Sequence, residues 1–158
     1  MWSELTKHHP QTEEGLMLGS VELNDYMLKN PLTAKADLTV YEAAQRILTN
    51  KVSGLVVIDD RRAMLGMLSE LDCLRALLAS AYNDEAFSTA VVGDLMSTDV
   101  EMQSPSDDII DVATSMLDHK HRRRPVVVDG LLVGQVTCRQ ILSVVTTGLK
   151  EQKHRITR

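Results

Sequence analysis

The sequence predicts an α/β protein built as two tandem β-α-β-β-α repeats that pack about a pseudo-two-fold axis. Three observations predict it. Val40, Ala43, Ala44, Ile47 and Leu48 are spaced i, i+3, i+4, i+7, i+8, and Ile109, Val112, Ala113, Met116 and Leu117 repeat that spacing 69 positions later. Such spacing lays one apolar stripe along a helix. Both stripes open on the same start signal, Thr39 with Glu42 and Asp108 with Asp111. The first side chain caps free amides, and the acid three residues on complements the helix dipole. After each stripe come two short apolar runs, the second with a glycine inside it. A cap, a stripe and two strands in the same order at the same offset mark an internal duplication.

The elements follow in order. Residues 1–20, with His8-His9-Pro10 and Glu13-Glu14, read as an N-terminal arm, and residues 21–82 as the first repeat. Asp25-Tyr26-Met27 leads into that repeat as Asp94-Leu95-Met96 leads into the second. A short extended piece, Leu32-Thr33, precedes the first capped helix, and Val100-Glu101-Met102 precedes the second. Leu55-Val56-Val57-Ile58 and Met64-Leu65-Gly66-Met67-Leu68 read as strands joined by Asp59-Asp60-Arg61-Arg62. Their counterparts, Val126-Val127-Val128 and Leu131-Leu132-Val133-Gly134-Gln135-Val136, are joined by Asp129-Gly130, a strong hairpin-turn signal. The closing helices are expected from Glu70 to about Ser80, and from Arg139 to about Val145. Leu71, Leu74, Leu77 and Leu78 form an apolar face on the first; Ile141, Leu142 and Val145 do so on the second. Polar residues 83–91 connect the halves, 92–147 are the second repeat, and 148–158 a C-terminal tail. A three-stranded sheet is marginal alone. Two copies face to face bury both sheets and leave clefts between the halves.

At 158 residues the chain fits one compact domain that buries about 68–70% of its unfolded surface. A net charge of −5 and a pI near 5.5 suit a soluble protein and argue against a general nucleic-acid binder. Cys73 and Cys138 are too few for a zinc site, form no Cys-x-x-Cys, and read as reduced, packed thiols. The first 20 residues lack the apolar core of a signal peptide, and nothing approaches the ~20 apolar residues of a membrane span. A cytoplasmic location is expected. His8-His9 has no partner at metal-ligand spacing, so no metal is expected. No Ser/His/Asp, Cys/His or paired-carboxylate arrangement marks catalysis, so neither an enzyme nor a catalytic cofactor is expected.

From about Val21 to Val145 the chain resembles a tandem pair of cystathionine-β-synthase-type (CBS) domains, a Bateman module. The resemblance rests on one order of motifs, found twice: Asp-h-Met, a capped helix, h-h-h-Asp, h-Gly-h-h-Ser/Thr and a helix, where h is apolar. It implies an α/β module of two copies that binds adenine nucleotides or related adenosyl compounds in the clefts between copies. It also implies sensing rather than catalysis, with any regulated activity on another chain.

Ser69-Glu70-Leu71-Asp72 opens the closing helix of the first repeat. The resemblance implies that a Ser/Thr-x-x-Asp here holds a ribose, the acid accepting from both sugar hydroxyls. The chemistry fits, because an ionised carboxylate has two acceptor oxygens matched to a diol. Ser69 also sits where a helix N-terminus presents amides to an anion. The same spacing is equally a capping box, and both uses stay open. In the second repeat Thr137-Cys138-Arg139-Gln140 stands at this place. Gln140 caps but offers one acceptor oxygen and no charge, so that cleft is expected to be the weaker site.

The run His119-Lys120-His121-Arg122-Arg123-Arg124 has no basic counterpart beyond Lys51 in Lys51-Val52-Ser53-Gly54. Arginine forks match phosphate oxygens, so Arg122 to Arg124 are expected to reach the phosphate of a nucleotide whose ribose sits on Asp72, with Arg123 and Arg124, nearest the strand, pointing into a cleft. Equally, cations follow a helix C-terminus because the dipole favours them. The family's Gly-hydrophobic-Pro strand entry is imperfect here, Gly54-Leu55-Val56 lacking proline and Arg124-Pro125-Val126 lacking glycine. Gly54 allows close approach of a base or the opposing strand. Leu32, Thr33, Leu55 and Val56 are candidates to line an adenine pocket. With 3% aromatic residues, purine recognition would rest on aliphatic contacts and backbone hydrogen bonds.

The expected function is that of a nucleotide-sensing homodimer: an adenosyl small molecule binds, and an unidentified regulated protein reads the change. The alternative is a ligand-free dimerisation or interaction module, supported by Gln140 and the imperfect strand entries. Nucleic-acid binding through Lys120 to Arg124 is disfavoured by the acidic pI and the scarcity of aromatic residues.

Overall fold

The computed structural model describes residues 16, 18–83 and 89–157. Most of the expected arm at 1–20 and the core of the connector at 83–91 lie outside them. After a single 3-10 turn at Leu23–Asp25 come β1 (Leu28–Lys29), β2 (Thr33–Ala34), α1 (Val40–Asn50), β3 (Gly54–Ile58), β4 (Met64–Ser69) and α2 (Glu70–Tyr82). The short α3 (Val92–Leu95) then leads to α4 (Ile109–His119), β5 (Arg123–Val128), β6 (Leu131–Thr137) and α5 (Cys138–Ile156). The fold is α/β, with two copies of one unit.

The expected caps start both stripe helices. Thr39 Oγ1 accepts from Glu42 N at 3.2 Å, and Glu42 Oε2 accepts from Thr39 N at 3.1 Å. The Thr39 hydroxyl, more than its amide, holds the Glu42 carboxyl below its ordinary range. Asp108 Oδ1 accepts from Ile110 N at 2.7 Å and from Asp111 N at 3.3 Å. Val40, Ala43 and Ile47 are buried on α1, and Ile109, Val112 and Met116 on α4. The last member of each stripe behaves differently: Leu48 is 75% exposed and Leu117 59%. Both helices end on a lysine in left-handed conformation, Lys51 and Lys120.

In the first sheet β2 pairs parallel with β3, and β3 antiparallel with β4. In the second, β5 pairs antiparallel with β6, and β6 with β1. Asp129 and Gly130 both have positive φ, as a tight primed turn requires. Val56, Ile58 and Leu132 form a small core where the repeats meet, flanked by Met64 and Met67. Met64 N donates to Gly130 O, and Leu132 N to Arg62 O, so the two hairpin turns reach across to one another.

The segment leading each repeat packs against the other repeat. Leu23 is buried with Ile109, Val112 and Met116 of the second core, and Val92 with Val40, Ala43 and Ile47 of the first. Leu23 N donates to Asp107 O and Ile109 N to Val21 O; 69 positions on or back, Val92 N donates to Leu38 O and Val40 N to Ala90 O. Leu28 pairs with Gln135 on β6, and Ser97 with Met67 on β4. The glycines inside β4 and β6 make this crossing possible. A Cβ on Gly66 would stand 3.0 Å from Met96 Sδ and 2.6 Å from Ser97 O, and one on Gly134 would stand 2.6 Å from Met27 Sδ.

Two expectations are corrected. Val100-Glu101-Met102 forms no strand; Gln103 alone bridges in parallel to Val126. In the first repeat Val56 N donates to Leu32 O, whereas the matching position in the second is Pro125, which has no N–H to give Glu101. The ladder there is one bond shorter. The second closing helix also does not stop near Val145 but runs to Ile156, taking in most of the expected tail. Leu149 to Lys153 are good helix formers, and Lys153, His154 and Arg155 complement the dipole in the last turn.

Candidate functional site

A cavity of about 620 Å³ opens between the start of α2 and the turn from α4 to β5. The first repeat contributes Ser53 and the run from Met67 to Asp72; the second contributes Lys120, His121, Arg122 and Arg123. Ser97, from the crossing segment, completes the lining. The cavity is therefore an inter-repeat cleft, with a carboxylate helix start on one side and a basic turn on the other.

Ser69 is the N-cap of α2 and makes the full capping box with Asp72. Asp72 Oδ2 accepts from Ser69 N at 2.9 Å and from Ser69 Oγ at 2.8 Å, while Ser69 Oγ accepts from Asp72 N at 3.1 Å. The other oxygen, Oδ1, has Arg75 Nη1 at 3.8 Å, and Arg75 is 80% exposed. The two uses left open by the sequence are thus compatible, because the cap consumes one oxygen and the cleft is lined by the same side chain. The amides of the helix start are less free than expected. Glu70 N donates to Ser53 O at 3.0 Å and Asp72 N to the Ser69 hydroxyl, so positive charge for an anion must come from the facing turn.

Arg123 lines the cleft. It stands at the position Gly54 holds in the first repeat, and the two meet: a Cβ on Gly54 would lie 2.8 Å from Arg123 Nη1 and would collide with the Leu68 carbonyl. Gly54 therefore gives close approach to the opposing repeat's arginine. Burial pushes the Arg123 guanidinium below its ordinary value, Glu70 opposes that shift, and Arg122 adds to it.

Arg124 does not enter this cleft, and the reason is the period of a strand, in which successive side chains point to opposite faces. It occupies the place of Leu55 and is 2% exposed. Its Nε donates to His121 Nδ1 at 3.2 Å, and its Nη1 to Gln103 Oε1 at 3.0 Å and Ser115 Oγ at 2.9 Å. Nη2 lies 2.6 Å from Glu101 Oε2, an ion pair whose angle does not make a hydrogen bond. Arg124 instead borders a second, smaller cavity of about 240 Å³ with Glu101, Gln103 and Asp111.

The remaining expected residues sit elsewhere. Leu55 is fully buried in the first core and Val56 in the inter-repeat core, so neither lines the cleft. Leu32 and Thr33 do not line it either; Leu32 packs on the first core and Thr33 O accepts from Arg46 Nη1. Thr137 caps α5, where Gln140 Oε1 accepts from its amide at 2.9 Å, and is not part of this cavity. Ser53, Met67 and Ser97 enter the cleft without a motif of their own. Ser53 had one usable signal, its repeat offset from Arg122, whereas Ser97 arrives through the crossing segment. Among the described residues no group of three or more His, Cys, Asp or Glu side chains is placed to hold a metal ion, and no helix is long and apolar enough to cross a membrane.

Comparison with known proteins agrees with this architecture. The Methanocaldococcus jannaschii protein MJ1225 is 32% identical over 115 residues, which is 73% of this chain and 39% of that protein. CBSX2 from the chloroplast of Arabidopsis thaliana is 30% identical over 145 residues, 75% of this chain and 61% of its own length. The chain thus spans less than two thirds of these curated relatives. The crystal structure of CBSX2 in complex with AMP matches with a TM-score of 0.71 at 29% identity, covering 81% of this chain and 98% of that one. AcuB from Vibrio cholerae matches with a TM-score of 0.73 at 25% identity, covering 85% and 96%. The family model for the CBS domain matches twice, at residues 23–79 and 92–147, in register with the two structural repeats. The chain belongs to the CBS domain family, as a tandem pair of such domains.

Proposed function

We propose that this chain is a regulatory module that binds an adenine nucleotide in the inter-repeat cleft and passes the resulting change in geometry to a partner protein. The observation that carries this reading is the composition of one cavity: the carboxylate of Asp72 comes from the first repeat and the cations Arg122 and Arg123 from the second. A ligand that needs both closes the repeats on each other, and it shifts a shape equilibrium by its difference in affinity for the two shapes. The AMP complex of CBSX2 supports an adenosyl ligand in this fold. The free thiols Cys73 and Cys138 fit a reducing, cytoplasmic setting.

Thermal melting with AMP, ADP and ATP tests the reading. At 100 times the dissociation constant, mass action stabilises the folded state by ~2.7 kcal/mol, a rise of about 5–10 °C in Tm for a chain of this size. Asp72→Asn keeps an acceptor for the cap and removes the charge, and it should weaken binding by about 1.5–3 kcal/mol. An affinity unchanged in that variant would leave Asp72 as a helix cap only. No shift with any nucleotide at millimolar concentration would favour the ligand-free interaction module.

The same reading makes the protein a homodimer. Leu48 and Leu74 of the first repeat are each more than half exposed, as are Leu117 and Leu142 at the matching positions of the second. Leu48 and Leu74 border an apolar groove of about 430 Å³ between α1 and α2, floored by Ile47 and Cys73. Apolar helix faces at two-fold-related positions suit a self-complementary contact with a second copy.

A further inference from the structure

We propose that the basic wall of the cleft is built for more than one phosphate, so that the preferred ligand is a nucleoside di- or triphosphate and not AMP or S-adenosylmethionine. This rests on the adenosyl reading of the cleft and adds the charge of the ligand to it.

The first support is what the repeats do not share. A helix C-terminus needs a cation only near its end, and both repeats supply one, Lys51 and Lys120, as the left-handed cap. The next three positions of the first repeat are Val52, Ser53 and Gly54; in the second they are His121, Arg122 and Arg123. Two guanidinium groups have therefore been added beyond what the helix end requires, in a chain whose net charge is −5. Both line the cavity.

The second support is that these cations have no settled partners. Among the described residues no side-chain hydrogen bond or ion pair engages Lys120, Arg122 or Arg123. The acids of the lining are Glu70, exposed and near Arg123, and Asp72, whose Oδ2 is held in the cap. Arg123 is partly buried against Gly54, and the exposed Glu70 offsets that burial only in part, so the cation gains when an anion arrives.

The third support is donor arithmetic. Each guanidinium carries five N–H donors in a rigid fork, and Lys120 adds three. His121 adds one more of defined kind. Because Arg124 Nε is always a donor, the His121 Nδ1 it meets at 3.2 Å must be the acceptor, which leaves the proton on Nε2 of a ring that lines the cleft. One terminal phosphate offers three strong acceptor oxygens, which a single bidentate arginine and the lysine largely satisfy. Two arginines, a lysine and an imidazole N–H match a chain of phosphates. The sulfonium and ammonium groups of S-adenosylmethionine would meet like charge there.

Isothermal titration with ATP, ADP, AMP, S-adenosylmethionine and inorganic tripolyphosphate tests this, on the intact chain and on the double variant Arg122→Ser, Arg123→Gly. That variant restores the residues of the first repeat at the same fold positions. ATP or ADP should bind at least tenfold more tightly than AMP and a hundredfold more tightly than S-adenosylmethionine, with the advantage shrinking as salt rises. In the double variant ATP should fall to the affinity of AMP. AMP or S-adenosylmethionine binding as tightly as ATP, lost in Asp72→Asn but unaffected by the double variant, would overturn the polyphosphate inference and leave the adenosyl reading intact. Tripolyphosphate binding that needs the two arginines, with no preference for any adenosyl compound, would keep the anion wall and remove the adenosine. Binding by none of the five would overturn both.

Discussion

Gly54 and Arg123 occupy matching positions in the two repeats, and each explains the other. The guanidinium lies where a side chain on residue 54 would be, and the Leu68 carbonyl closes the remaining space. A flexible arginine can move aside, but a strand carbonyl cannot without disturbing the β3–β4 pairing at Gly54 and Ser69. Gly54→Ala should therefore cost about 1–3 kcal/mol in urea unfolding, as overpacking does, and also weaken the proposed nucleotide binding by displacing Arg123. Stability within a few tenths of the parent would show that the strand yields more easily than its pairing implies. At this scale the sequence was legible where a residue acts on its neighbours in the chain: Ser69 with Asp72, Thr39 with Glu42. It misled where direction mattered. Arg123 and Arg124 are adjacent and chemically alike, yet strand alternation sends one to the cleft and the other into a pocket of Glu101, Gln103, Ser115 and His121. The start of β5 decides which is which, and it lies at Arg123, three positions before the expected strand Val126-Val127-Val128.

Among the elements, the helices and hairpins follow from local patterns, and the partners of the leading segments do not. Asp25-Tyr26-Met27 and Asp94-Leu95-Met96 showed that each repeat has a leader. Nothing in their composition says that each leader pairs with the sheet of the other repeat, as strand β1 on β6 and as a single bridge from Ser97 to Met67 on β4, because pairing across the molecule is set by where the chain can reach. The glycines of β4 and β6 carried a trace of it, since a strand glycine often marks close approach of another backbone. The consequence is measurable. Leu23 is fully buried among Ile109, Val112 and Met116, so Leu23→Ala should destabilise by about 2–5 kcal/mol. Hydrogen exchange should then report lost protection in α4 and β6 before α1 and β3, although residue 23 belongs to the first repeat by sequence. Loss confined to the first sheet would contradict the crossing.

For the whole molecule, the two-fold relation makes one surface feature appear twice. The exposed leucines of α1 and α2 recur on α4 and α5. Leu74→Glu together with Leu142→Glu should convert the proposed dimer to monomer in sedimentation at micromolar concentration, with the far-UV spectrum unchanged. A single leucine replaced should have a smaller effect, because half of the contact would remain. A parent chain that sediments as a monomer at every concentration would remove the dimer from the functional reading. The duplication was readable from the sequence at this scale because the offset of 69 holds across caps, stripes and leaders alike. The length of α5 was not, because Gly148 interrupts the pattern, although the helix buries that glycine and continues through the good helix formers after it.

The crossing of the leaders also sets a timetable for synthesis. Leu28 and Lys29 find their partners only at Gln135 and Gly134, near the end of the chain. At about 5–20 residues per second, a nascent chain holds that edge open for about 5–20 s after it leaves the ribosome. Throughout that interval Leu23 has no core to enter, so a product truncated before β6 would carry a sticky, unsheltered N-terminal stretch and be an early target for chaperones and proteases.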